Sequence, residues 1–247
     1  MMQSWLKLTW VETKLFIREP GVYFGLAFPL AFLLIYGSIY GNTPSAFFNG
    51  RGPLDVYMPA YIVMVIAANA FFALPIAIVN YRERGILFRL QATPLRPLNI
   101  LSAQIGANFL MTTAESLLLV VLGVVFYQVH VTSAIFGVLL AYVLGILSIF
   151  SLGFLLASVV SNVRVATFAA VLLFLAAFYL SGMTIPLKIY PAVVQQIAQF
   201  LPMTHAVTLL QELWSGASWS SHWADVLILF GLLVVCMLAS SKLFRWR

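Results

Sequence analysis

The sequence is short of charge. Only 8% of its 247 positions are Asp, Glu, Lys or Arg, against about a quarter in soluble domains, whereas 63% are hydrophobic. A water-soluble surface cannot be built from that supply, so the chain reads as an integral membrane protein. Cysteine is limited to Cys236, which excludes an internal disulfide and any multi-thiolate metal site and leaves a small apolar packing residue. Histidine is limited to His130, His205 and His222, scattered outside the cores of the apolar runs with no spacing suited to a metal, and H-E-x-x-H is absent. Without G-x-x-x-x-G-K-[ST] the chain cannot hold nucleotide phosphates in the P-loop manner, and without G-x-S-x-G it lacks the local mark of a serine hydrolase. The net charge of +6 does not point to nucleic acid. Its basic residues are spread over short connections, without a compact basic face or interleaved stacking aromatics.

What the sequence has is long apolar runs. A spanning helix needs about 20 mostly apolar residues, and six segments qualify, at roughly residues 22–40, 56–79, 104–127, 133–160, 165–182 and 223–242. The first run, "VYFGLAFPLAFLLIYGSIY", exceeds the 7 to 15 residues of a signal-peptide core and no A-x-A-like site follows it, so a retained span is expected. No short-period polar alternation marks barrel strands, and in hydrocarbon every amide must be satisfied internally; helices are therefore expected. The expected fold class is all-α integral membrane, one transmembrane domain over 1–247 with no room for a separate catalytic domain. If the amino terminus is inside, the inner connections hold 11 Lys and Arg and the outer ones only Arg51 and Lys188. That bias predicts both termini on the cytoplasmic side.

Three stretches break the apolar pattern. Residues 3–18 are too polar to span, and at 100° per residue Lys7, Lys14 and Arg18 share a face beside Trp5, Leu8, Val11 and Leu15; this predicts an interfacial helix within 1–20, an anchor to anionic lipid or a lever on the first span. Residues 183–222 contain Pro186, Pro191 and Pro202, and their apolar pieces are too short to cross, which suggests re-entrant or interfacial outer helices, as a gate or as a cap. Inside the third span, Gln104, Asn108, Thr112 and Glu115 follow offsets of 4, 4 and 3 and form one polar stripe. A carboxylate at that depth costs about 2.5 to 3.5 kcal/mol on insertion scales, so the stripe faces protein or water. Interhelical bonding and a translocation path along Asn108, Thr112 and Glu115 both fit, and Asn69 could join either. Aromatics at the span ends, such as Tyr57, Tyr61, Tyr127, Trp219 and Trp223, read as interfacial belts.

The densest charge lies in "NYRERGILFRLQATPLRPLN", residues 80–99. There "RERGILFRLQ" can form about three helical turns with Arg82, Ile86 and Arg89 on one side. Pro94 forces Thr93 out of helical geometry, and Pro97 can open the next helix. Topology alone does not call for Ile86, Leu87, Phe88 and Leu90 beside the arginines; a docking surface or lipid headgroups would. The longer stretch "YRERGILFRLQATPLRPLNILSAQI" resembles the cytoplasmic coupling segment of type-2 ABC exporter permeases, through Glu83, Gly85, Arg89, Thr93, Pro94 and Leu95. "SGMTIPLKIYP" and "LPMTHAVTLLQELWSG" are similar to that family's outer segment, through Ser181, Gly182, Pro186, Pro191, Pro202 and Gly216. Many members carry an arginine near Gln211 or Glu212. This chain has none there, so Glu212 is read as a solvated outer carboxylate and no ion-pair role is transferred to it.

The resemblance implies one half of an exporter in a bacterial cytoplasmic membrane. Two such permeases, identical or similar, would work with two separate ATPase subunits that bind the ATP, so no cofactor is expected on this chain. Arg82, Glu83, Gly85, Ile86, Arg89, Thr93 and Pro94 would couple to the ATPase, and Pro186, Pro191 and Pro202 would shape an outer gate. Apolar spans with one polar stripe suit an amphipathic drug or lipid-like cargo. Two rivals from other classes are an ATP-independent carrier or channel resting on Glu115, and a membrane enzyme, for which no acid, base or metal cluster is concentrated at either interface.

Overall fold

Backbone amides in hydrocarbon have no water to bond, so apolar runs of this length fold as helices that satisfy themselves. The computed structural model describes residues 9–11, 13–14, 20–48, 50–86, 97–132 and 134–243. Helices α1 (Pro20–Tyr40), α2 (Pro53–Glu83), α3 (Pro97–Tyr127), α4 (Ile135–Val159), α5 (Val163–Leu180) and α8 (Trp223–Leu243) form the bundle. Two short helices, α6 (Ala192–Ala198) and α7 (Pro202–Trp214), lie between α5 and α8. There is no strand among the described residues, only an isolated antiparallel bridge between Ser45 and Arg51. Among the described residues, five helices are long and apolar enough to cross a membrane: α2, the 102–127 part of α3, α4, α5 and α8. The described apolar stretch of α1, Gly25–Tyr40, is shorter than that.

Helix α2 is the axis. In its most apolar window 78% of residues are buried inside the protein, against 17% for α8, which identifies α2 as the element the others surround. Helices α1, α3, α4, α5 and α7 all pack on it. The α1 contact is aromatic. Phe28, Phe32 and Tyr36 recur every four residues on one face, and their rings lie 5.2 Å and 5.4 Å from Phe178 of α5 (Phe28 and Phe32) and 6.2 Å from Tyr57 of α2 (Tyr36).

Midway, α2 widens into a π-turn over Asn69–Ala73, where the Leu74 N–H reaches back five residues to the Asn69 carbonyl. Pro75 follows directly. A proline inside a regular helix removes a hydrogen bond and clashes with the carbonyl four residues earlier; the extra residue of a π-turn relieves both. The wider turn also brings the Ala70 carbonyl against Gly153 of α4, where a β-carbon would overlap it. Gly25 of α1 takes the opposite flank, with the Asn69 side chain 3.2 Å from where its β-carbon would stand.

On the far side of the bundle α8 lies along α4. Ser148 Oγ donates to Leu229 O at 2.8 Å across that contact, and the small residues there allow close approach. Helix α7 starts at Pro202, which gives up an N–H that a first helical turn leaves unbonded anyway. It buries Met203, Val207, Leu210 and Trp214, spaced 4, 3 and 4, against α2, α4 and α8.

At its other end α2 stops where the sequence pattern expects a separate helix to start. Arg82 and Glu83 continue α2, and the Arg84 and Gly85 N–H groups close on Asn80 O and Arg82 O at 3.0 Å each. Gly85 sits at φ +64°, a left-handed cap that ends the helix; Ile86 therefore lies beyond a turn from Arg82 and not one helical turn above it. Pro97 does open α3, as its spacing predicts. Most of the expected interfacial helix within 1–20, and residues 87–96 of the 80–99 segment, lie outside the described residues; residues 9–11 and 13–14 are helical.

The two α4 glycines provide a paired test. Gly153→Ala must displace the Ala70 carbonyl and is expected to cost about 1 to 3 kcal/mol. Gly145→Ala, where a β-carbon meets nothing within 4 Å, leaves the thermal midpoint of the purified protein unchanged.

Candidate functional site

Polar side chains gather at three levels. In the middle, Asn69 of the π-turn donates from Nδ2 to Glu115 Oε2 at 2.5 Å and to Val65 O at 3.2 Å. The α3 stripe predicted from spacing is buried inside the protein: Gln104, Asn108 and Thr112 are at most 2% exposed and Glu115 is 6% exposed. Asn108 Nδ2 bonds back to Gln104 O at 2.9 Å. Both Gln104 amide atoms, Asn108 Oδ1, Thr112 Oγ1 and Asn69 Oδ1 are buried without a partner among the described residues. The stripe therefore has one interhelical bond, at Asn69, and spare polar capacity below it. On the neighbouring face of α3, Tyr142 of α4 donates to Thr113 Oγ1 at 3.2 Å and to Ser116 Oγ at 3.4 Å. These hydroxyls sit behind a crevice of about 200 Å³ between α2, α3, α4 and α7, walled by Ile62, Leu117, Val120, Leu139 and Trp214. It suits an apolar chain.

At the end where α2 begins, the two aspartates of the sequence collect all three histidines. Asp55, in the first turn of α2, accepts from Asn42 Nδ2 at 2.9 Å and from His130 N at 2.8 Å, and its other oxygen lies 3.2 Å from His130 Nδ1. That ties the α1–α2 and α3–α4 connections together. Asp225, in the first turn of α8, lies 2.6 Å from His205 Nδ1 and 3.3 Å from His222 Nδ1. His205 Nε2 faces Gln199 O at 2.9 Å. Since a carbonyl only accepts, Nε2 carries a hydrogen, and the other nitrogen meets the carboxylate. A carboxylate in a first helical turn also complements the positive end of that helix. Sequence spacing missed His130 with Asp55 and His205 with Asp225 because these partners are 75 and 20 residues apart, whereas His222 and Asp225, three residues apart, were open to a local reading and were missed as well. No group of three or more His, Cys, Asp or Glu among the described residues is arranged to hold a metal.

The three prolines of the 183–222 segment each precede or open a short helix. Pro186 and Pro191 flank the 3₁₀ turn Leu187–Ile189 and cap α6, and Pro202 opens α7. Arg51 Nη2 donates to Ser215 O at 2.9 Å and Gln211 Nε2 to Val56 O at 3.2 Å, so this segment is fastened to the start of α2. Glu212 is exposed, as its solvated reading expects.

At the opposite end, Arg82 and Glu83 turn toward the α4–α5 corner. Arg82 Nη1 donates to Val160 O at 2.9 Å and Nη2 to Ala157 O at 2.8 Å, while Glu83 Oε1 accepts from Val163 N at 2.8 Å. Gly85 and Ile86 follow, half-buried; Arg89, Thr93 and Pro94 lie outside the described residues. For the central pair, a double-mutant cycle of Asn69→Ala and Glu115→Ala, read by thermal unfolding in detergent, is expected to give a coupling of about 0.6 to 1.7 kcal/mol, the range of hydrogen bonds between membrane helices. A coupling of zero contradicts the contact.

Comparison with known proteins agrees with this architecture. The profile described as "ABC2_membrane: ABC-2 type transporter" matches residues 3–214. Among curated proteins, the chain is similar to the inner membrane transport permease YhhJ of Escherichia coli (strain K12), with 28% identity over 160 residues, 63% of this chain and 42% of that protein. It is also similar to the protein named "Probable multidrug ABC transporter permease YbhR" of the same organism, with 22% identity over 176 residues, 69% of this chain and 48% of that protein. The chain thus spans less than half the length of the curated relatives it matches. With the family profile covering α1 to α7 and the charged segment after α2, the chain belongs to the ABC-2 type transporter family as a membrane-embedded permease.

Proposed function

We propose that this permease is the membrane half of an ATP-driven exporter, paired with a second permease and powered by separate ATPase subunits. The observation that carries the reading is the family match over residues 3–214, which includes the segment joining α2 to α3. In this reading α1 is a sixth span, both termini and residues 80–99 face the cytoplasm, and 183–222 forms re-entrant outer structure. The distribution of Lys and Arg supports that orientation. The ATPase grips the cationic, partly apolar stretch containing Ile86, Arg89, Thr93 and Pro94, and its closure on ATP shifts the spans. A near-complete switch between two membrane states needs about 5.5 kcal/mol of differential binding, all of which must pass through that contact.

Cargo of hydrophobic or amphipathic character suits a bundle whose crevice between α3 and α4 has apolar walls. The printed name of one relative, a multidrug permease, supports the same class. Asn108, Thr112 and Glu115 lie inside the protein, so a role for them in passage would involve movement of α3 against α2. Otherwise Glu115 serves to hold α3 to α2 through Asn69.

Reconstitution decides between this reading and an ion-driven carrier. Liposomes holding the permease with its ATPase are expected to export a fluorescent amphiphile only when ATP is supplied. Transport by the permease alone on a proton or sodium gradient overturns the proposal. Combining Glu83→Ala with Gly85→Pro is expected to abolish ATP-dependent transport while the spans remain folded, because proline cannot adopt the positive φ of residue 85.

A further inference from the structure

We propose that Arg82 and Glu83 form a clamp that makes the α4–α5 corner move with the coupling segment, and are positioning residues rather than part of the surface that touches the ATPase. The inference rests on the exporter reading for its functional meaning; the geometry stands by itself.

Every helix leaves its first N–H groups and last carbonyls unbonded. Helix α4 ends at Val159 and α5 begins at Val163, so the corner between them exposes both kinds of orphan group within a few residues. Asn162 covers one, accepting from Val165 N at 2.8 Å. Others are covered from outside. The Arg82 guanidinium spans two carbonyls at the end of α4, Ala157 and Val160, at 2.8 and 2.9 Å. The Glu83 carboxylate takes the first N–H of α5, at Val163, at 2.8 Å. The charges match the helix ends they meet: a cation at the negative carboxyl end, an anion at the positive amino end. Exchange of the two residues would oppose both dipoles. Two adjacent residues thus bind the two sides of a turn some 75 to 80 residues away.

Their place in the chain gives the contact its consequence. Glu83 is the last residue of α2, and Gly85, at a positive φ, stands directly before the segment that leads to α3. A push on that segment reaches α2 and α3 through the backbone. Through the clamp it also reaches α4 and α5. The lower part of α2 also packs on both helices, so the three cytoplasmic ends are held as one unit. Arg82 commits its guanidinium to these bonds and Glu83, though exposed, gives one carboxylate oxygen to Val163 N, so docking is assigned to the residues after Gly85.

The first test uses the permease alone. In a Cys236→Ala background, spin labels are placed at positions 86 and 161 in lipid nanodiscs. A single narrow distance is expected with Arg82 and Glu83 present, broadening at least twofold when both are replaced by alanine. An unchanged width overturns the clamp. The second test uses the complex with the ATPase. Arg82→Ala and Glu83→Ala are expected to retain the ATPase subunit and hydrolyse ATP within twofold of the parent while transport falls at least tenfold. Glu83→Gln, whose amide oxygen still accepts from Val163 N, is expected to recover transport to within threefold, and Arg82→Lys, which offers one nitrogen in place of the two of the guanidinium fork, to fall between. Loss of the ATPase from the alanine variants overturns the proposal in favour of direct docking, and unaltered transport overturns it outright. If the parent complex shows no ATP-driven transport, the exporter reading fails while the label distances still decide the clamp.

Discussion

Hydrocarbon offers no partner to a polar group, so each one taken into the bundle must find its bond within the protein. The π-turn of α2 is where this constraint is most concentrated. Three demands meet there: Pro75 withholds an N–H, Asn69 brings an amide to the middle of the bundle, and Glu115 brings a carboxyl. One wider turn answers them together. It absorbs the proline, aims Asn69 at Glu115, and sets the Ala70 carbonyl against a glycine of α4. The neighbouring helices are placed by what this turn requires of them, small residues on α1 and α4 and an acceptor on α3.

Much of the bundle is legible in the sequence, because a run of apolar residues long enough to span has few other fates. The stripe on α3 is legible too, since offsets of 3 and 4 fix a face whatever lies opposite. What lies opposite is not. Asn69 is one polar residue in an apolar run, and nothing local announces a π-turn or its partner 46 residues away. For the same reason α2 looks no more central than α8. In lipid both kinds of helix are apolar all round, and burial against protein leaves no mark on composition. The expected helix beginning at Arg82 shows a different limit. Its residues have helical spacing, but Gly85 adopts a left-handed conformation that ends one helix, a choice made by tertiary contacts of Arg82 and Glu83 with a distant corner.

The histidines illustrate how loops hide chemistry from a linear reading. Taken one by one they have no spacing that suits a metal or an acid–base pair. Folding places each against an aspartate, and each aspartate stands in the first turn of a helix. In the proposed orientation these knots hold the outer connections and the short helices to the bundle, while arginine and glutamate do the corresponding work on the inner side. The energetic logic is shared: helix termini are the polar points of an apolar protein, and long-range side chains cover them.

Helix α2 has one further property, its reach. At 1.5 Å per residue its 31 residues extend about 46 Å, well beyond a hydrocarbon layer of about 30 Å. Asp55 and Glu83, 28 residues apart along it, are separated by about 42 Å, close to the full bilayer with its headgroup zones. A helix of that reach that crosses the layer can leave Asp55 and Glu83 both outside the hydrocarbon at once, so its apolar middle crosses without burying a charge at either end.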